Sequence, residues 1–348
     1  MAPAGSRPRA DAAAETPGDW LMLSGLPLPA AGAASLLECG TLVVEVALPL
    51  ARSALILDHR SRQGWPRALS LTVEPAGLVV THLQGRSLIR HILPGPLPRG
   101  EGIGRISFAW DAPLRLWTLR YEIAGQPETA LVASGAEAIP PLLDDLLTLC
   151  AGHSPARLHG SVLWLGVSPG VGLPEQRPWL GLRSPVETPV GPVAAGLLRP
   201  GDTVITADLG FREVRAVRRV TVPARGSLAP MLLRAPYFGL LTDLLVGADQ
   251  HVLCEDVAVE YLFGEDRVLV RASDLADGLR AVPDRRRAVA QGVEIDLGAE
   301  ALLLCDGVAL SSAAAPRDRW GRAIRRLDRH EAQALAGLRR TRGRNLAA

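Results

Sequence analysis

Short β-type runs, several of them alternating apolar and polar positions, succeed one another through the first half of the chain. TLVVEVAL (41–48), SALILDH (53–59), ALSLTVE (68–74), GLVVTHL (77–83) and SLIRHIL (87–93) follow one another closely. GRISFAW (104–110), LWTLRYEI (116–123) and SVLWLGV (161–167) continue the series. In ALSLTVE, Leu69, Leu71 and Val73 alternate with Ser70, Thr72 and Glu74, a period of two that gives a strand one apolar face and one polar face. Turn residues such as Pro75-Ala76-Gly77 and Gln84-Gly85-Arg86 separate the runs. Many short strands joined by hairpins predict an antiparallel jelly-roll sandwich. The stretch IPPLLDDLLTLC (139–150) breaks the pattern with helical spacing behind a proline pair and predicts a helix.

A proline-rich seam, SPGVGLPEQRPWLGLRSP (168–185), separates this half from a second one. The second half also reads as mostly β. Strands are predicted over 212–222, 229–236, 250–255, 257–263 and 266–275, with two more in 292–310. A helix is predicted over Arg322–Leu338 in an arginine-rich tail. The expected organisation is therefore a disordered leader (1–19), a sandwich (20–175), a second β domain (179–312) and a basic tail (313–348).

Composition narrows the chemistry. The 348 residues carry 38 basic and 36 acidic side chains, a net charge of +2, so no global field points to nucleic acid or an anionic membrane. Every basic residue is arginine, which excludes a lysine Schiff base and a P-loop lysine. The four cysteines, Cys39, Cys150, Cys254 and Cys305, form no CxxC pair, which argues against a zinc knuckle or a disulfide scaffold. No metal site and no cofactor is expected. No signal peptide or membrane-spanning run is read, so the cytoplasm is the default compartment, with non-classical secretion left open. Between Arg317 and Arg344, ten arginines face three acids, which reads as a solvated helix rather than a nucleic-acid contact. Oligomeric state is not legible.

Two resemblances add to this reading. Val186-Glu187-Thr188-Pro189-Val190-Gly191-Pro192-Val193, then Leu197-Leu198-Arg199-Pro200-Gly201-Asp202-Thr203-Val204, then Leu244 to Leu253 and Leu269 to Leu275, stand in an order that resembles the Hedgehog/intein (Hint) domain, in the form found as a carboxy-terminal module of many bacterial proteins. Thr188, Pro189, Pro200, Gly201 and Asp202 are read as scaffold. The resemblance implies self-processing, in which a first-position cysteine or serine attacks the preceding carbonyl and a histidine assists the leaving nitrogen. Here the first position falls near Trp179-Leu180, and the histidine position falls on Gln250, one place before His251. The expectation is a degenerate Hint domain without autoprocessing. The alternative is cleavage near 178–184 by an acyl shift, with Ser184 and His251 as its catalytic candidates.

Gly104 to Asp111 followed by Leu116-Trp117-Thr118-Leu119 resembles a hairpin of the concanavalin A-like and laminin G-like jelly rolls. That resemblance implies binding of a glycan or another protein. Trp65, in the loop Arg62–Pro66, is the candidate contact, whereas Trp110 and Trp164 are expected in the core. The acids Glu45, Asp58, Glu74, Glu101, Asp111 and Glu122 are scattered singly, and His59, His82 and His91 are read as isolated surface or strand histidines.

Overall fold

The computed structural model describes residues 20–26, 35–313 and 324–345. The predicted leader, 1–19, lies outside them, as does part of the basic tail. The chain is mostly β, with antiparallel sheets and three α-helices among the described residues.

The first half contributes β1 (Met22–Leu23), β2 (Cys39–Leu48), β3 (Ala54–Ser61), β4 (Arg67–Glu74), β5 (Gly77–Gln84) and β6 (Ser87–Pro94). β7 (Gly102–Asp111), β8 (Leu116–Ile123), β9 (Gln126–Ala136), α1 (Leu143–Ala151), β10 (Arg157–Leu158) and β11 (Val162–Ser168) complete it. They form two antiparallel sheets in the orders β1-β11-β2-β7-β8-β9 and β10-β3-β4-β5-β6. This is a jelly-roll sandwich, and the alternation in β4 is realised residue by residue: Leu69, Leu71 and Val73 are buried, while Ser70, Thr72 and Glu74 are partly exposed. Trp110 and Trp164 are buried. β9 has no counterpart in the sequence reading. Apart from Leu131 and Val132 its residues, QPETALVASGA, are small or polar, and all are half-exposed or exposed on a sheet edge, where burial enforces no clear pattern.

The second half contributes β12 (Leu180–Gly181), β13 (Pro185–Val186), β14 (Val193–Ala194), β15 (Thr203–Thr206), β16 (Gly210–Glu213) and β17 (Ala216–Pro223). β18 (Met231–Leu233), β19 (Leu244–Val246), β20 (His251–Cys254), α2 (Val257–Phe263), β21 (Val268–Arg271) and β22 (Ala281–Pro283) follow. β23 (Val289–Asp296), β24 (Leu302–Cys305), β25 (Val308–Ser311) and α3 (Arg329–Asn345) close it. Two six-stranded sheets, β17-β23-β12-β19-β18-β22 and β16-β15-β24-β25-β20-β21, and the pair β13-β14 enclose the main hydrophobic core, with smaller buried clusters around Trp179 and around Leu269.

Several expectations change here, among them the strand predicted over 266–275, which ends at Arg271 and passes into a 3-10 turn over Ala272–Leu275. The strand predicted over 257–263 is the helix α2: Asp256 caps it by accepting from the amides of Ala258 and Val259, and Gly264 ends it in the left-handed conformation. The strand predicted over 212–222 is two strands, β16 and β17, interrupted at Val214-Arg215, whose amides turn aside to Asp202 and Asp296. The tail helix starts seven residues later than predicted. Residues 325–327 instead lie beside β21, with Leu269 bonding Arg325 and Leu327, and Leu327, Ala332 and Leu335 enter the core. This stretch is docked rather than solvated.

Candidate functional site

The Hint-like positions are assembled from short turns. Arg199-Pro200-Gly201-Asp202 closes with the Asp202 amide donating to the Arg199 carbonyl at 3.1 Å, and the Asp202 carboxylate accepts from the Arg199 amide at 2.8 Å. Proline at the second place and glycine at φ +95° at the third are what a type II turn requires. The Gly201 amide reaches the Val214 carbonyl, tying the turn to the chain entering β17. Thr188 builds a similar local turn, its hydroxyl donating to Gly191 at 2.5 Å, with Pro189 exposed between them. These five residues are all committed to backbone geometry.

Trp179 is buried just ahead of β12, which lies between β19 and β23. Its ring rests against Gly247 and Gly292, where an added Cβ would collide with the indole. Ser184 is also buried; its hydroxyl donates to the Leu245 carbonyl at 3.1 Å, and its own carbonyl accepts from Ala195. Gln250 is buried at 1% exposure and donates through Nε2 to the carbonyl and hydroxyl of Ser311, leaving Oε1 without a partner. His251 follows on β20, partly exposed and paired in register with Arg271. Burial first, then the Arg326 and Arg271 charges, push its imidazole down to about 4. No hydrogen bond joins Ser184 to His251 among the described residues. Cys254 is buried in the core, and burial drives the Cys305 thiol far up.

In the jelly roll, Trp65 is 40% exposed, with the Arg67 guanidinium 5.3 Å from its ring centroid. Of the two expectations for the histidines, surface or strand, the strand one holds for all three. His59, His82 and His91 are all buried and point between the two sheets. The Asp145 carboxylate on α1 reaches His59 Nε2 at 3.0 Å and Arg67 Nε at 2.7 Å. Burial raises the Asp145 carboxyl, but the hydrogen bonds from His59 and Arg67 outweigh it and hold the group below its ordinary value. His91 lies between the rings of Phe108 and Trp117, at 5.0 and 4.9 Å, with neither nitrogen hydrogen-bonded. The sequence carried a signal for this: His59 is in phase with Leu57, His82 with Leu78 and Val80, and His91 with Leu93.

Two of the acids read as scattered, Glu45 and Glu122, converge. On the outer face of the larger sheet, Trp164, Glu45, Arg105 and Glu122 stand opposite one another across β11, β2, β7 and β8. The segment Gly226–Leu228 of the second half covers them. Glu45 is fully buried: Oε1 accepts from Arg105 at 2.9 Å and from the Ser227 hydroxyl at 2.5 Å, and Oε2 accepts from Trp164 and the Ser227 amide, both at 2.8 Å. Leu228 packs with Leu23, Val43 and Trp164, and Trp20 meets Trp164 edge-on at 5.2 Å. Among the described residues, no cluster of three or more His, Cys, Asp or Glu is arranged to hold a metal ion, and no helix is long and apolar enough to cross a membrane.

The molecule is thus a two-sheet jelly roll joined to a compact module of short strands and turns. That module carries a Hint domain: residues 182–315 match its family model. Among solved structures, the chain is similar to the LG1-3 region of the laminin alpha2 chain, with 9% identity over 87% of this chain and 57% of that one, at a TM-score of 0.29. It is also similar to domains LG4-5 of the mouse laminin alpha1 chain, with 11% identity over 85% of this chain and 76% of that one, at a TM-score of 0.27. No curated protein matches.

Proposed function

We propose that this is a Hint-domain protein without autoprocessing, whose jelly roll is a binding module for a glycan or another protein. The observation that carries the first part is the packing of Trp179. A bulky indole, held against Gly247 and Gly292, fills the place where the Hint resemblance puts the nucleophile. The hydroxyl nearest in sequence, Ser184, is engaged with the Leu245 carbonyl, and the side chain at the histidine position, Gln250, has no proton to exchange near neutral pH. An acyl shift needs an activated nucleophile with an acid or base in reach, and this arrangement supplies neither.

The full chain, incubated with and without a thiol or hydroxylamine, is expected to keep a single mass of 36.9 kDa. Two fragments summing to the whole, from a cut near 178–184, would overturn the proposal. The binding part rests on the jelly-roll architecture and on exposed Trp65, whose flat ring suits stacking on a sugar face. A glycan array and a protein-capture screen on the full chain test it. Signal lost in Trp65→Ala supports it, and uniform silence on both removes it.

A further inference from the structure

A cavity of about 390 Å³ opens where the two halves meet. The jelly roll supplies Ala47, Ile103 and Leu163 to its wall, and the second half supplies Arg225, Gly226 and Arg285. No carboxylate lines it. Neither guanidinium has a hydrogen bond or ion pair among the described residues. The neighbouring acids are already committed. Glu45, against Gly226, has both oxygens filled by Arg105, Trp164 and Ser227, and Asp284 is taken by the Arg286 guanidinium at 2.7 and 2.8 Å.

We propose that this seam cavity binds a tetrahedral oxyanion, the phosphate or sulfate group of a small molecule, between Arg225 and Arg285. Guanidinium forks match such oxygens in pairs, and the apolar wall strengthens the attraction by excluding water from one side. The volume exceeds that of the anion, so the remainder of the ligand lies over Ala47, Ile103 and Leu163. Because each half contributes part of the wall, the bound ligand ties them together. Its binding free energy therefore adds to the stability of the joined form and not to that of the separated halves.

The test is titration of the full chain with inorganic phosphate and inorganic sulfate at constant ionic strength, with chloride as control. The expected result is one saturable site, a melting temperature that rises with the anion, and at least tenfold weaker binding in the R225A/R285A double variant. R225K/R285K, which keeps the charges without the forks, is expected between the two. Comparing a sugar phosphate with the corresponding sugar sulfate then identifies the preferred source of the group. Absence of saturation, or binding unchanged in R225A/R285A, overturns the proposal. Should the double variant melt below the wild type in anion-free buffer, protection of the wild type decides. Phosphate is expected to slow phenylglyoxal modification of Arg225 and Arg285 at least fivefold, and equal modification with and without it overturns the proposal.

Discussion

His82 and His91 are the most consequential single residues in the jelly roll. Burial pushes both imidazoles down to about 4, with the neighbouring ring of His91 adding to the effect on His82. In the unfolded chain each titrates at about 6.5. Between the two values the unfolded chain takes up protons that the folded chain refuses, so stability falls as pH drops from about 6.5 to about 4 and is flat above that window. Each histidine removes up to about 3 kcal/mol at the acid end. Asp145 acts in the same direction at lower pH: its depressed carboxyl contributes stability that is lost as pH falls below the ordinary carboxylate range. Denaturant titrations at pH 7, 5.5 and 4.5 check this. His91→Leu is expected to flatten the slope, and an unchanged slope would sink the assignment. That these side chains point inward was legible in the phase of each strand. That Asp145 meets His59 and Arg67 was not, because 86 and 78 residues separate it from them and only the packing of α1 closes the gap.

At the scale of elements, the runs of the first half became strands nearly as written, because alternation over seven or eight residues fixes which face is buried. The failures have local causes. VAVEYLF is rich in β-favouring residues, yet Asp256 and Gly264 bracket it with a cap and a stop, and seven residues are short enough for the ends to decide. Asp256→Ala is expected to cost about 1 kcal/mol in a chemical unfolding experiment, with the loss restored by Asp256→Ser. In the tail, Asp328-Arg329-His330-Glu331 proves to be a helix start. The Glu331 amide donates to the Asp328 carboxylate at 2.8 Å, and the Glu331 carboxylate accepts from the Asp328 amide at 3.0 Å. This reciprocal pair is readable from the spacing alone. It fixes the start of α3 at a point where hydrophobic periodicity gave an earlier one.

At the scale of the whole molecule, Glu45 joins the halves. Its strand reads as an apolar β-run, TLVVEVAL, in which Glu45 is the single charge. The second half places Ser227 and Leu228 over it, and Gly226, at φ +69°, brings the backbone so close that a Cβ would strike the Glu45 carboxylate. Removing one member of such a buried set leaves the others desolvated and unpaired. Glu45→Ala is therefore expected to cost about 3–5 kcal/mol, and calorimetry is expected to resolve the jelly roll and the Hint module as separate transitions. A loss under about 1 kcal/mol would mean that the contact does not hold the halves together.

The sequence by itself determined the β character of both halves, the phase of their strands, and the turns at Thr188 and Pro200-Gly201. These depend on neighbours a few residues apart, where sterics and alternation act directly. Only the tertiary structure decided that Trp179 fills its pocket, that Asp145 meets His59 and Arg67, and that Glu45 is closed over at a seam with Arg105, Trp164 and Ser227 as its partners. Each of those depends on residues far apart in the chain, and no local pattern records which distant side chain will supply a buried charge with its partners.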